Sequence, residues 1–231
     1  MRTRLRMLPI LAALCGLVGV AHAQVIFSDS FTSGAAAVWG NEVGNWTATG
    51  GVYFPTAPNN SPPTYTSVPF SLTDFSVTVT INQLSDGGIW LRSADNGNGV
   101  LLVTGGNGRT GTGLYWHEIQ NGGVGPARNE VTGLFVNGVS NATIRVDVAG
   151  STFSAYVNGA VTPATVLTST LFASGKVGLY GFSTQTFDNF SIVAVPEPGT
   201  AGLLAFGALA VGGSTAWSRW RRRRVISLSG R

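Results

Sequence analysis

Cysteine is nearly absent from this 231-residue chain. Its one copy, Cys15, lies in an apolar N-terminal stretch, so residues 24–194 can build neither a disulfide nor a thiol site. Histidine is almost as scarce. His22 belongs to the N-terminal stretch and leaves His117 alone in the span that follows, which argues against a histidine-rich metal centre or a Ser-His-Asp triad. Charged residues make up only 10% of the chain. Most of the basic ones sit at the ends: Arg2, Arg4, Arg6, Arg219, Arg221, Arg222, Arg223, Arg224 and Arg231. Between the ends, Arg92, Arg109, Arg128, Arg145 and Lys176 stand against nine acids, five cations to nine anions, or −4. The overall excess of +4 is therefore a property of the ends, and no basic patch points to nucleic acid. Helical periodicity is missing from 24–194 too, which excludes βαβ architectures.

What the middle does contain is alternation with period two, broken by Gly, Asn, Asp and Pro. Phe75, Val77, Val79 and Ile81 alternate with Ser76, Thr78, Thr80 and Asn82. Ile144, Val146 and Val148 alternate with Arg145 and Asp147, and Phe153, Ala155 and Val157 follow until Asn158-Gly159 turns the chain. Ile89 to Arg92, Leu114 to Gln120, Val177 to Phe182 and Phe187 to Val193 are further strands. Strands this short, joined by polar turns, predict an all-β, jelly-roll-like β-sandwich in which each sheet has one dry and one wetter face. Asn59-Asn60-Ser61-Pro62-Pro63 reads as an exposed connector. The Gly/Asn-rich turns 96–99, 105–108 and 121–123 are not phosphate cradles, because no lysine and no helix follows them.

The ends carry topology. Arg2, Arg4 and Arg6, the apolar run Met7 to Val20, and Ala21-His22-Ala23 read as a signal peptide cut after Ala23. The rival readings are an uncleaved anchor and a lipoprotein, the latter disfavoured because Leu14 precedes Cys15. At the other end, Pro196-Glu197-Pro198 leads into an apolar stretch, residues 199–217. As a helix rising about 1.5 Å per residue it spans roughly 28 Å, enough to cross a bilayer core of about 30 Å. Arg219, Arg221, Arg222, Arg223 and Arg224 then hold the far end in the cytoplasm and leave the rest outside, the orientation the signal peptide also gives.

Pro-Glu-Pro, apolar helix and arginine cluster, in that order over residues 195–224, resemble the PEP-CTERM sorting signal of Gram-negative bacteria. The tail 225–231 is longer than that pattern calls for. The resemblance implies Sec export, signal peptidase, transient anchoring in the inner membrane, and processing by exosortase near the Pro-Glu-Pro motif. It further implies a destination at the cell surface or in an extracellular matrix of exopolysaccharide and biofilm. A plain single-pass anchor is the alternative.

The stretches 142–148, 152–159, 175–180 and 187–190 resemble the concanavalin A-like lectin/glucanase superfamily, especially its laminin-G-like branch, over roughly residues 25–193. The expected organisation is thus a signal peptide (1–23), a concanavalin A-like sandwich (24–194), a sorting signal with a transmembrane helix (195–224) and a short tail (225–231). Residues 87–93 and 113–120 are similar to a branch described as 3-keto-disaccharide hydrolases, with an arginine on one strand and Glu-x-Gln on another. Here these are Arg92, Glu118 and Gln120; His117 before the glutamate departs from that pattern.

Period two places Trp90 with Arg92, and Trp116 with Glu118 and Gln120. If both sets share a face, they form a sugar groove, in which indoles stack on C–H faces and planar polar groups meet hydroxyls. Ser76, Thr78 and Thr80 would line the neighbouring strand. The competing reading packs Trp90 on Trp116 and pairs Arg92 with Glu118 across the sheet. Catalysis is not expected: glycosidases use two facing carboxylates, and Glu118 has Gln120 where a second would stand. Glu118 is the one weak catalytic residue for a hydrolase reading. No cofactor is expected; Asp86, Asp95, Asn96 and Asn98 offer oxygen ligands for calcium, without EF-hand spacing. Asp188 and Asn189 are expected to bond to backbone in the closing strand. Three Asn-x-Ser/Thr sequons, at Asn45, Asn141 and Asn189, are expected to stay unused in a bacterial protein.

Overall fold

The computed structural model describes residues 24–106 and 112–195. Ala23 and the signal segment, Pro196-Glu197-Pro198, the apolar run, Arg219, Arg221 to Arg224 and the tail lie outside the described residues. Every regular element among the described residues is a strand. In chain order they are β1 (Val25–Asp29), β2 (Trp46–Thr49), β3 (Val52–Pro55), β4 (Thr66–Leu72), β5 (Phe75–Asn82), β6 (Asp86–Asp95), β7 (Asn98–Gly105) and β8 (Gly113–Gln120). They continue with β9 (Gly123–Val124), β10 (Arg128–Val131), β11 (Ala142–Ala149), β12 (Thr152–Val157), β13 (Thr165–Thr168), β14 (Gly175–Gly181) and β15 (Thr186–Ala194).

Two antiparallel sheets result. The first runs β13-β12-β11-β5-β15-β3-β2, with β1 also on β15. The second runs β10-β8-β7-β6-β14-β4, with β9 on β8. Period two explains the first sheet: Phe75, Val77, Val79 and Ile81 of β5 and Ile144, Val146 and Val148 of β11 are fully buried, while the hydroxyls between them face outward. Val177 and Leu179 of β14, Ile89 and Leu91 of β6, Val100 and Leu102 of β7, and Leu114 and Trp116 of β8 meet them from the second sheet. An aromatic knot of Phe31, Trp39, Trp46 and Tyr53 closes one flank, with Phe31 stacked on Tyr53 at 4.9 Å.

The second sheet departs from the expected wet outer face. Tyr65, Trp90, Leu101, Val103, Tyr115, Ile119 and Tyr180 form a second apolar layer there. The cause is visible in Val100-Leu101-Leu102-Val103, which is apolar at four consecutive positions and so greasy on both faces. Asn59 to Pro62 are exposed, as expected of a connector, and the chain then dips onto this layer at Thr64 and Tyr65, which are buried. Thr64 Oγ1 donates to Gly181 O at 2.6 Å and accepts from Gly181 N at 2.9 Å. Trp90 Nε1 donates to Thr64 O at 3.4 Å, and Tyr65 meets Trp90 edge to face at 5.7 Å. Close strand approach matters beneath it: a Cβ on Gly88 would run into the carbonyl of Leu102.

Candidate functional site

Register decides which side chains share a face. Trp90 pairs with Leu101, and Leu101 pairs with His117. His117, not Trp116, therefore lies on the Trp90 face. Trp116 points the other way, into the core between the sheets, where its Nε1 donates to Thr165 Oγ1 at 3.1 Å and its ring meets Phe153 edge to face at 6.2 Å. The expected groove uniting the two indoles is corrected accordingly. So is its rival: Trp90 and Trp116 do not pack together, and Arg92 does not pair with Glu118.

Arg92 is separated from Trp90 by a backbone irregularity. The β6–β7 register shifts between Leu91 and Asp95, and the β14–β6 register between Lys176 and Gly178. Arg92 itself sits at φ 46°, a left-handed conformation rare for a long side chain. Its guanidinium turns inward over Phe153, 5.2 Å from the ring centre. There Nε donates to Thr73 O at 3.0 Å and Nη1 to Phe172 O at 3.0 Å, while Nη2 reaches Thr73 O and Asp74. Burial lowers its pKa, and Asp74 opposes that shift. Glu118 is held by Arg128 of β10, and Gln120 is exposed at the end of β8. Ser76, Thr78 and Thr80 belong to the other sheet and do not border β6.

The oxygen groups set out for calcium are used locally. Asp95 Oδ1 accepts from Gly97 N at 2.8 Å and Asn98 Nδ2 at 3.1 Å; Asn96 Nδ2 donates to Pro63 O. Asp86 stands at the opposite end of β6 from Asp95. Among the described residues no group of three or more His, Cys, Asp or Glu gathers. Asp188 Oδ1 accepts from Asn189 N at 2.6 Å, the local backbone bond expected for that segment.

A cleft of about 270 Å³ lies on the outer face of the second sheet. Leu101, Val103 and Ile119 supply an aliphatic floor. Tyr115 and His117 come from β8, Tyr180 from β14, and Asp86 from the start of β6. Asn60 and Pro63 of the segment before β4 and Val124 of β9 complete the lining. His117 is oriented twice over, by Nδ1 at 2.7 Å from Gly125 O and by its edge-to-face contact with Tyr115 at 5.3 Å. Because a carbonyl only accepts, Nδ1 carries the proton in that bond. The β8–β9 turn is fixed to the β6–β7 turn by Gly122 N to Gly97 O (2.9 Å) and Asn121 N to Asn98 Oδ1 (3.0 Å).

Tyr180 is buried, and desolvation raises its pKa, with Asp86 and Tyr115 adding to the shift. Burial likewise raises Tyr65, and pushes Tyr53 up to about 12. Unfolding returns each phenol to an ordinary pKa near 10, so above that pH the unfolded chain has shed protons the folded one keeps. Stability is thus expected to be intact below about pH 10 and to fall as pH rises toward 12, by up to roughly 1.4 kcal/mol per pH unit per tyrosine. Urea midpoints at pH 9 and pH 11 check this; equal midpoints would contradict the burial of the phenols.

No protein-family profile and no curated protein sequence matches the chain. Solved structures do. The carbohydrate-binding module CBM66 from Bacillus subtilis superposes with a TM-score of 0.58, at 16% identity over 68% of this chain and 96% of that one. A Bacillus licheniformis β-glucanase gives 0.53, at 13% identity over 74% and 98%. Xylan β-1,4-xylosidase from Bacillus halodurans gives 0.52, at 12% identity over 72% of this chain and 38% of the enzyme, so the chain spans well under half of that protein. At these identities the likeness is one of fold: a concanavalin A-like β-sandwich.

Proposed function

We propose that this chain is an exported, non-catalytic polysaccharide-binding protein whose ligand enters the cleft between Tyr180, His117 and Val124. The observation that carries the reading is the cleft itself: an aliphatic floor ringed by two phenols, an imidazole, a carboxylate and an amide. Sugars present the matching surfaces, C–H faces and hydroxyls. Its volume falls just below the roughly 300–1,000 Å³ of small-molecule pockets, which suits one sugar ring better than a long run of them. The fold is shared with a carbohydrate-binding module and with glycan-cleaving enzymes, and both kinds of role are compatible with it. Binding is preferred because Asp86 is the one carboxylate among the described lining residues, where hydrolysis calls for two. The hydrolase alternative through Glu118 is weakened by that residue's ion pair with Arg128 outside the cleft.

Export and sorting complete the proposal. The paired topological signals and the Pro196-Glu197-Pro198 motif support a Sec-exported precursor, transiently anchored and then cut by exosortase, that ends at the surface or in a polysaccharide matrix. Intact mass of the extracellular protein tests this. A chain starting at Gln24 and lacking Arg219 to Arg224 is expected; one that keeps those arginines would remove the sorting half of the reading.

Retention on a panel of neutral polysaccharides tests the cleft. Val124 lines the cleft and is 54% exposed, so Val124→Trp adds bulk to the lining without disturbing the core. This variant of the full chain is expected to bind at least about tenfold more weakly with an unchanged melting temperature. Glu118→Gln should bind like the parent. If Val124→Trp binds as the parent does, the cleft is not the site.

A further inference from the structure

The outer face of the first sheet carries an arginine that the cleft does not use. Arg145 stands in the middle of β11, opposite Tyr156 of β12 and Thr78 of β5. Its guanidinium carbon lies over the Tyr156 ring, 4.0 Å from the centre. Nε is buried 3.2 Å from Asp147 Oδ1, close enough for an ion pair but without hydrogen-bond alignment. Asp147 is itself fixed by Ser76 Oγ at 2.6 Å. Arene and carboxylate together hold the guanidinium in place, while Nη1 and Nη2 take no hydrogen-bond partner among the described residues. The side chain is 39% exposed, so the open fork faces solvent.

We propose that Arg145 is a carboxylate-binding site for a uronic acid-bearing polysaccharide. A planar pair of N–H donors fits the two oxygens of a carboxylate, and orientation in advance removes much of the ordering cost of a long side chain. Thr78, Thr143 and Ser154 surround it in register on a flat sheet face and offer hydroxyls to those of the sugar. Charge selects the partner: the fork is cationic and its Nη1 and Nη2 are free of hydrogen bonds among the described residues, so the complementary group is an anion. Asp147 meets the guanidinium at Nε, and no hydrogen bond occupies Nη1 or Nη2 among the described residues. The site is on the opposite sheet from the cleft and does not depend on it.

Titration of the nitrogen-15-labelled full chain with oligogalacturonate, read at the Arg145 guanidinium signals, tests this. Arg145→Lys removes those signals and so assigns them. The Arg145 signals are expected to shift saturably with oligogalacturonate, and to stay put with its methyl ester and with acetate at equal carboxylate concentration. Binding should weaken about tenfold in Arg145→Lys, which keeps the charge and loses the fork, and stay unchanged in Val124→Trp. Unmoved Arg145 signals at saturating ligand would overturn the proposal, including where the arginine-rich C-terminus alone binds. So would equal shifts with the ester or with acetate, or equal affinity of Arg145→Lys.

Discussion

Trp116→Ala is expected to lower the stability of the domain by about 3–5 kcal/mol, the usual cost of emptying a buried indole site. Trp116 is fully buried, spans the space between the sheets, and joins β8 to β13 through Thr165, whose own hydroxyl donates to Asn129 O at 2.5 Å. The substitution therefore opens a cavity and takes a donor from Thr165 in a place water does not reach. For a domain of this size the melting temperature should fall by roughly 2–4 °C per kcal/mol. Calorimetry or urea denaturation measures it, and a loss under about 1 kcal/mol would mean that the indole is not packed as described. Sugar retention should fall only as far as the folded fraction does. Trp90→Ala, also fully buried, should be destabilised alike and also frees Thr64 and Tyr65 beside the cleft lining, so neither variant isolates the cleft; Val124→Trp does.

In the first sheet β5, β11 and β12 were legible because one face is dry and the other polar, the pattern in which period two is clearest, whereas the short β1, β2, β3 and β13 were not. Residues 75–82, 142–149 and 152–157 all follow it. The second sheet hid its inside from its outside. Ile89-Trp90-Leu91 and Leu114-Tyr115-Trp116 are apolar on both faces, so alternation within each strand was readable but the parity between strands was not. That parity rests on the pairing of Trp90 with Leu101 and Leu101 with His117, a fact of register that no local pattern supplies. His117 looked like a lone histidine for the same reason. Asn59 to Pro62 are the exposed connector that their composition suggested, but composition gave no sign that Asn60 and Pro63 border a cleft. One signal for the cleft was present and pointed the right way. Four consecutive apolar residues, Val100 to Val103, meant that the second sheet had to be covered on both sides.

Arg92 is where alternation failed outright, and its replacement gives the second large effect. Arg92→Ala should cost about 1–3 kcal/mol, because it removes a buried guanidinium that donates to the carbonyls of Thr73 and Phe172 and takes the partner from Asp74. Thr73 is exposed, Phe172 half-buried and Asp74 31% exposed, so water recovers part of their share and the lost packing on Phe153 carries most of the loss. The backbone makes a sharper test. At φ 46° a Cβ is strained and glycine is not, so Arg92→Gly should be more stable than Arg92→Ala by roughly 1 kcal/mol, the reverse of their order in an ordinary strand. Paired urea titrations of the two variants decide it. Alanine at or above glycine would place residue 92 in regular β conformation and restore its side chain to the Trp90 face, whereas glycine above alanine ties the guanidinium's inward turn to the break in the β6 ladder.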